Sequence, residues 1–121
     1  MANILLVEDS QTEVRAFTQL LKKNGHEVNT AGNGEHGVQK AIENLPDLIL
    51  MDVVMPGLNG FQATRQITRN DATNHIPVVI VSTKDQETDR VWGTRQGATA
   101  FLTKPVPEKL LIDTINQALA G

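Results

Sequence analysis

Short apolar runs alternate with amphipathic segments along the whole chain, and that alternation limits the fold more than any other feature. Four runs, Ile4 to Val7, Leu48 to Met51, Val78 to Val81 and Phe101 with Leu102, are apolar on both faces. Such runs read as parallel strands buried between helices. A fifth, Glu27-Val28-Asn29-Thr30-Ala31, alternates polar with apolar and belongs near a sheet edge. Between the strands, Val14, Phe17, Leu20 and Leu21, then Val38, Ala41 and Ile42, and finally Leu111, Ile115, Ala118 and Leu119 fall at helical spacing. Asn24-Gly25, Pro46 and Gly97 stand where helices should stop. The order is therefore βα five times: an α/β fold, with a doubly wound five-stranded parallel sheet of (βα)5 type and helices on both faces. Ligands of such a sheet sit beyond the carboxyl ends of its strands.

At 121 residues the chain is expected to form a single domain spanning 1–121, and a last helix running to Gly121 leaves no room for an output domain. Eleven basic against 14 acidic residues, net charge −3, with no basic run, argue against a nucleic-acid partner. No apolar run approaches a membrane span, so membrane insertion is not expected. With no cysteine and no secretory leader pattern after Met1, the expected compartment is the cytoplasm.

Gly32-Asn33-Gly34-Glu35-His36-Gly37 fits the Gly-x-Gly-x-x-Gly spacing of a dinucleotide loop. It follows the most polar strand, however, in a chain too short for the second half of a dinucleotide-binding sheet. The sequence reading gives Gly32 and Gly34 the role of turning the chain and Glu35 that of an acid in a first helical turn. The histidines His26, His36 and His75 show no ligand spacing and are expected to be solvated.

Acids gather at the strand ends. Glu8 and Asp9 follow the first run and Asp52 follows the Leu48–Met51 run, so three carboxylates leave the sheet at one rim. Crowded acids raise each other's pKa and call for a cation; Mg²⁺, held by one or two carboxylates together with phosphate oxygens, is the economical choice. Ser82-Thr83 and Lys104 end two further strands and offer a hydroxyl donor and an ammonium to a phosphoryl group, with Asp52 as carboxylate nucleophile. Read singly, Asp9-Ser10 is a helix cap and Lys104 a surface lysine.

The segments VEDS, LMDVVMPGLNG, VVIVSTK and FLTKP, in this order and spacing, resemble the receiver domain of two-component response regulators over essentially the whole chain. The resemblance implies a flavodoxin-like fold and a phosphoacceptor switched by a histidine kinase. It makes Asp52 the phosphorylated residue, and Asp9, Asp52 and the backbone carbonyl of Val54 the Mg²⁺ ligands. Glu8 stands where the family often has Asp; being longer, it is expected to meet the metal through water. Ser82 becomes the switch hydroxyl with Thr83 beside it, Phe101 the switch aromatic, and Lys104 the phosphate partner, with a cis bond to Pro105. Within the family, MDVVMPGLNGFQATRQIT and STKDQETDRVWGTRQGA look most like the stand-alone receivers of the type IV pilus twitching-motility chemosensory system. The implied partners are a chemotaxis-type histidine kinase and a downstream motility or pilus protein.

One other output mode and one other chemistry compete. The domain could drain phosphoryl groups from a shared kinase. A haloacid-dehalogenase-type phosphatase would need a second Asp two residues after Asp52, where Val54 stands. The fourth helix, read as Asp85 to Gln96, has few apolar residues, mainly Val91 and Trp92, with Gly93 in its interior. It is the expected mobile element, and Trp92 either packs on the sheet or belongs to a partner surface.

Overall fold

A computed structural model describes residues 2–121. The chain alternates β1 (Asn3–Val7), α1 (Gln11–Lys23), β2 (Glu27–Ala31), α2 (Gly34–Asn44), β3 (Leu48–Met51), α3 (Gly60–Thr68), β4 (Val78–Ser82), α4 (Glu87–Arg95), β5 (Ala100–Thr103) and α5 (Glu108–Ala120). All strand pairs are parallel, in the order β2-β1-β3-β4-β5. Because β1 lies between β2 and β3, the chain leaves β1 toward one side and returns on the other. The crevice of an open sheet forms at that reversal.

The period-two geometry of the strands explains both cores. Leu5, Val7, Ile49, Met51, Val78 and Ile80 point to one face, where they meet Ala41 of α2 and Ala63 and Ile67 of α3. Ile4, Leu6, Leu48, Leu50, Val79 and Val81 point to the other and meet Leu21 of α1 and Leu111 and Ile115 of α5. Each fully buried side chain of this size contributes about 1.5–3 kcal/mol, so the three central strands hold the domain together. β2 is an edge, as its alternation predicts. β5 is the other edge: Leu102 is buried but Phe101 only half-buried, so that run is not covered on both faces.

Helix ends follow local chemistry. Ser10 caps α1 by accepting from the Glu13 amide, and Asn33 caps α2 by accepting from His36. At α3, Asn59 and Gln62 exchange side-chain-to-backbone bonds in a capping box, a pattern legible in the sequence. α4 is shorter than read from the sequence, since Gln86 is its N-cap and Gln96 its C-cap.

Three expectations are corrected. Gly34 is not a flexible turn residue: its φ is not positive, and a Cβ there would lie 2.2 Å from the Leu58 carbonyl oxygen. The glycine is needed because the loop after β3 crosses α2 at backbone contact. His26 is buried rather than solvated, its Nδ1 accepting from the Ala2 amide at 3.2 Å, and burial lowers its pKa. Val91 and Trp92 do not anchor α4; they are 46% and 48% exposed and belong to neither apolar core.

Candidate functional site

Strand register brings the acids together. Val7 of β1 pairs with Met51 of β3, and the Asp52 amide donates to the Val7 carbonyl at 3.0 Å, so Glu8 and Asp52 leave adjacent strands side by side. Glu8 and Asp52 are buried while Asp9 is exposed, and the three offer carboxylate oxygens all within 4.8 Å of one another. Of the metal ligands expected from the sequence, these three are brought together. Val54 follows in the loop after β3 with its side chain exposed.

On the other side, Ser82 pairs with Thr103 across β4 and β5, and the Lys104 amide donates to the Ser82 carbonyl at 2.8 Å. The Lys104 side chain then reaches back over the sheet end. Its Nζ lies 2.8 Å from Glu8 Oε1 and 3.3 Å from Asp52 Oδ1. The peptide bond from Lys104 to Pro105 is cis, as expected. Ser82 is fully buried with its Oγ accepting from the Lys84 amide, whereas Thr83 is exposed.

Electrostatics follow from burial. Burial pushes the Asp52 carboxyl up, and the charge and hydrogen bond of Lys104 offset part of the rise. Glu8 is likewise raised by burial, against its bonds to Lys104 and the Ser10 amide. Burial would lower the Lys104 ammonium, but its contacts with Glu13, Glu8 and Asp52 outweigh that and hold it above the ordinary lysine range. The site is thus a buried carboxylate pair bridged by one cation, with a third, exposed carboxylate alongside. A small hard cation fits the remaining acidic oxygens.

Phe101 sits a strand away, and α4 is built around it. A Cβ at Gly93 would lie 3.1 Å from Phe101 Cδ2, so the absent side chain is what lets the helix rest on the ring. One turn earlier, the Arg90 guanidinium stands 5.2 Å from the ring centroid and donates to the Phe101 carbonyl and Thr103 Oγ1. Gly93 is the one buried residue of α4.

Two site residues escaped the sequence reading. Glu13 Oε1 is 2.7 Å from Lys104 Nζ, and the Phe17 ring centroid is 6.0 Å from the same atom. The available signal was spacing: Glu13 is one turn beyond Asp9 and Phe17 one turn beyond Glu13, so both share a helix face. By its helical spacing alone Phe17 is a core residue. A larger hollow of about 810 Å³, lined by Asp47, Asn74, His75 and Gln117 among others, lies at the opposite strand ends and takes none of these acids.

Comparison with known proteins places this geometry. Over all 121 residues the chain is 60% identical to Protein PilH of Pseudomonas aeruginosa, covering 100% of both chains. Among solved structures, chemotaxis protein CheY4 of Vibrio cholerae superposes with a TM-score of 0.91 at 29% identity, covering 98% of each chain. The receiver domain of a sensor histidine kinase from Pseudomonas aeruginosa, solved with a magnesium ion in its active-site cleft, superposes with a TM-score of 0.92 at 27% identity, covering 99% of this chain and 98% of that one. The family model for the response regulator receiver domain matches residues 4–116, and the chain belongs to that family.

Proposed function

We propose that the protein is a phosphoacceptor in two-component signalling, in which Asp52 takes a phosphoryl group from the phosphohistidine of a chemotaxis-type kinase. The observation that carries this reading is the cluster of Glu8, Asp9 and Asp52 with Lys104 bonded to two of the three. A carboxylate oxygen of Asp52 attacks phosphorus, the P–N bond to the donor imidazole breaks, and its electron pair leaves with the imidazole. Hydrolysis reverses the charge: water attacks phosphorus, inorganic phosphate departs and the carboxylate returns. Asp52 needs no base for attack, so what the chain contributes is position and charge.

Asp9, Asp52 and the Val54 carbonyl would hold Mg²⁺, with Glu8 contacting it through water. The magnesium-bound receiver of similar fold supports this assignment, as does the oxygen-only donor set. The ion supplies positive charge at the phosphoryl oxygens. Lys104 donates to the phosphoryl group from the other side, and Ser82 supplies a hydroxyl. Drawing Ser82 toward phosphorylated Asp52 would release Phe101 from its outer position, and the α4 surface bearing Trp92 would carry the change to a partner. The 60% identity to Protein PilH favours control of type IV pilus motility, in the cytoplasm, as the setting.

The test is direct. Incubation with Mg²⁺ and a small acyl phosphate should add one phosphoryl group, labile in base and to hydroxylamine, and Asp52→Asn should take none. Undiminished labelling of Asp52→Asn would reject the assignment.

A further inference from the structure

Lys104 is claimed by more acids than the phosphoacceptor reading uses. Its ammonium lies 2.8 Å from Glu8, 2.7 Å from Glu13 and 3.3 Å from Asp52, with the side chain only 10% exposed. The ammonium donates to Glu8 and Asp52, and Glu13 pairs with its charge, so three carboxylates share one cation. A phosphoryl group that binds Lys104 therefore competes with these acids for its charge.

The three are not equally easy to displace. Glu8 and Asp52 are 2% and 8% exposed at the side chain, so solvent compensates poorly for loss of the lysine there. Glu13 is 39% exposed and can be rehydrated when the lysine leaves it. It also comes from a different part of the fold. Glu8 and Asp52 follow strands, whereas Glu13 and Phe17 belong to successive turns of α1, with Phe17 offering its ring face at 6.0 Å. Helix α1 thus provides a seat for the lysine that the sheet does not. An open groove of about 490 Å³, lined by Glu13, Phe17, Thr83, Lys104 and Val106 among others, runs past that seat and gives solvent a route to it. Glu13 also adds a negative charge where a phosphoryl group must bring its own, about −1.5 to −2 at neutral pH.

We infer that Glu13 is a positioning residue that parks the Lys104 ammonium against α1 and thereby slows the uptake of a phosphoryl group at Asp52. This rests on the phosphoacceptor reading for its consequence, though not for the parking itself. Phosphorylation exchanges the Glu13 contact for one to the phosphoryl oxygens, and Glu13 turns out to solvent. The helix seat acts as a brake on the site.

Glu13→Gln keeps the shape and removes the charge; Glu13→Asp keeps the charge on a shorter stem. With Mg²⁺ and trifluoroberyllate as the phosphoryl mimic, followed by fluorine NMR, Glu13→Gln should bind roughly two- to fivefold more tightly than wild type, the scale of a half-exposed ion pair. Its labelling rate with a small acyl phosphate should rise by a similar factor. Glu13→Asp should stay closer to wild type, and the gap between Glu13→Gln and wild type should narrow as salt rises. A merely structural role would move neither the salt dependence nor the rescue by Asp. In protein without metal or donor, solvent exchange of the Lys104 ammonium hydrogens should be faster in Glu13→Gln. Equal exchange in the two proteins would overturn the parking, and equal or weaker trifluoroberyllate binding by Glu13→Gln would overturn the brake. If wild type takes no phosphoryl group at all, the phosphoacceptor reading fails, and the exchange measurement still decides whether Glu13 holds the lysine.

Discussion

Replacing Lys104 by Met should cost the domain a large part of its stability, and the cost should depend on pH. Met keeps most of the apolar stem that packs under the ammonium, so the substitution removes charge with little loss of volume. What remains is Glu8 and Asp52, 2% and 8% exposed at the side chain, with the cation between them gone. Removing one partner of a buried ion pair costs about 3–5 kcal/mol because the other charge is left uncompensated. The contact to Glu13 adds little, since that carboxylate is 39% exposed and regains water. Against a total stability of about 5–15 kcal/mol this is a severe loss. With a urea slope of about 2 kcal/mol per molar it moves the unfolding midpoint by roughly 2 M at about pH 8.

The pH dependence follows from linkage. Burial already raises both carboxyls, and loss of Lys104 raises them further. A group with a folded pKa above its unfolded value binds more protons in the folded state, so the variant gains stability as pH falls through the raised values. The gain stops below the ordinary carboxylate pKa, where both states are protonated. Urea titrations of Lys104→Met and wild type at about pH 8 and about pH 5.5 should therefore show a deficit that shrinks with acid. A midpoint shift below about 0.5 M, or a deficit that does not change with pH, would refute the buried-charge account.

Three other outcomes are expected. The pKa of His26 is lowered in the fold, so neutral His26 contributes stability that is full above the ordinary value of about 6.5 and is lost as pH falls toward the lowered value; the difference in urea midpoint between wild type and His26→Gln should change sign-consistently over that window and be flat above it. Gly34→Ala forces a Cβ against the Leu58 carbonyl, which should cost about 1–3 kcal/mol in urea unfolding and shift amide signals of the loop after Asp52; an unshifted loop would show that the contact relaxes elsewhere. Ser82→Ala should still accept a phosphoryl group, yet the emission of Trp92, which is the single tryptophan and half exposed, should no longer respond to trifluoroberyllate with Mg²⁺; a full response would uncouple Ser82 from α4.

Much of this was legible in the sequence because the strands that matter are buried on both faces. Ile4 to Val7, Leu48 to Met51 and Val78 to Val81 have no polar residue to blur them, so their ends, and the acids just after them, could be placed to the residue. β5 is harder: an edge strand of four residues with one buried side chain gives little pattern, and Phe101, apolar like its neighbour, is half open. In α4 the apolar residues mislead, because Val91 and Trp92 point outward and contact with Ile80 and Phe101 comes through Gly93, which has no side chain to announce it. His26 was missed because its burial depends on the amide of Ala2, a tertiary contact with no local signature. Glu13 was missed for a related reason: a half-exposed acid in a first helical turn satisfies the helix dipole by itself, and only the fold reveals the lysine above it.

The central claim is that Asp52 receives a phosphoryl group from a histidine kinase through the Glu8, Asp9 and Lys104 arrangement. The most direct measurement mixes a chemotaxis-type kinase, autophosphorylated with labelled ATP and freed of nucleotide, with this protein in Mg²⁺ and follows the label over time. The account predicts label moving from kinase histidine to Asp52, and none reaching Asp52→Asn or wild type in excess chelator. Label that stays on every kinase tested, or reaches Asp52→Asn as fast as wild type, would contradict it.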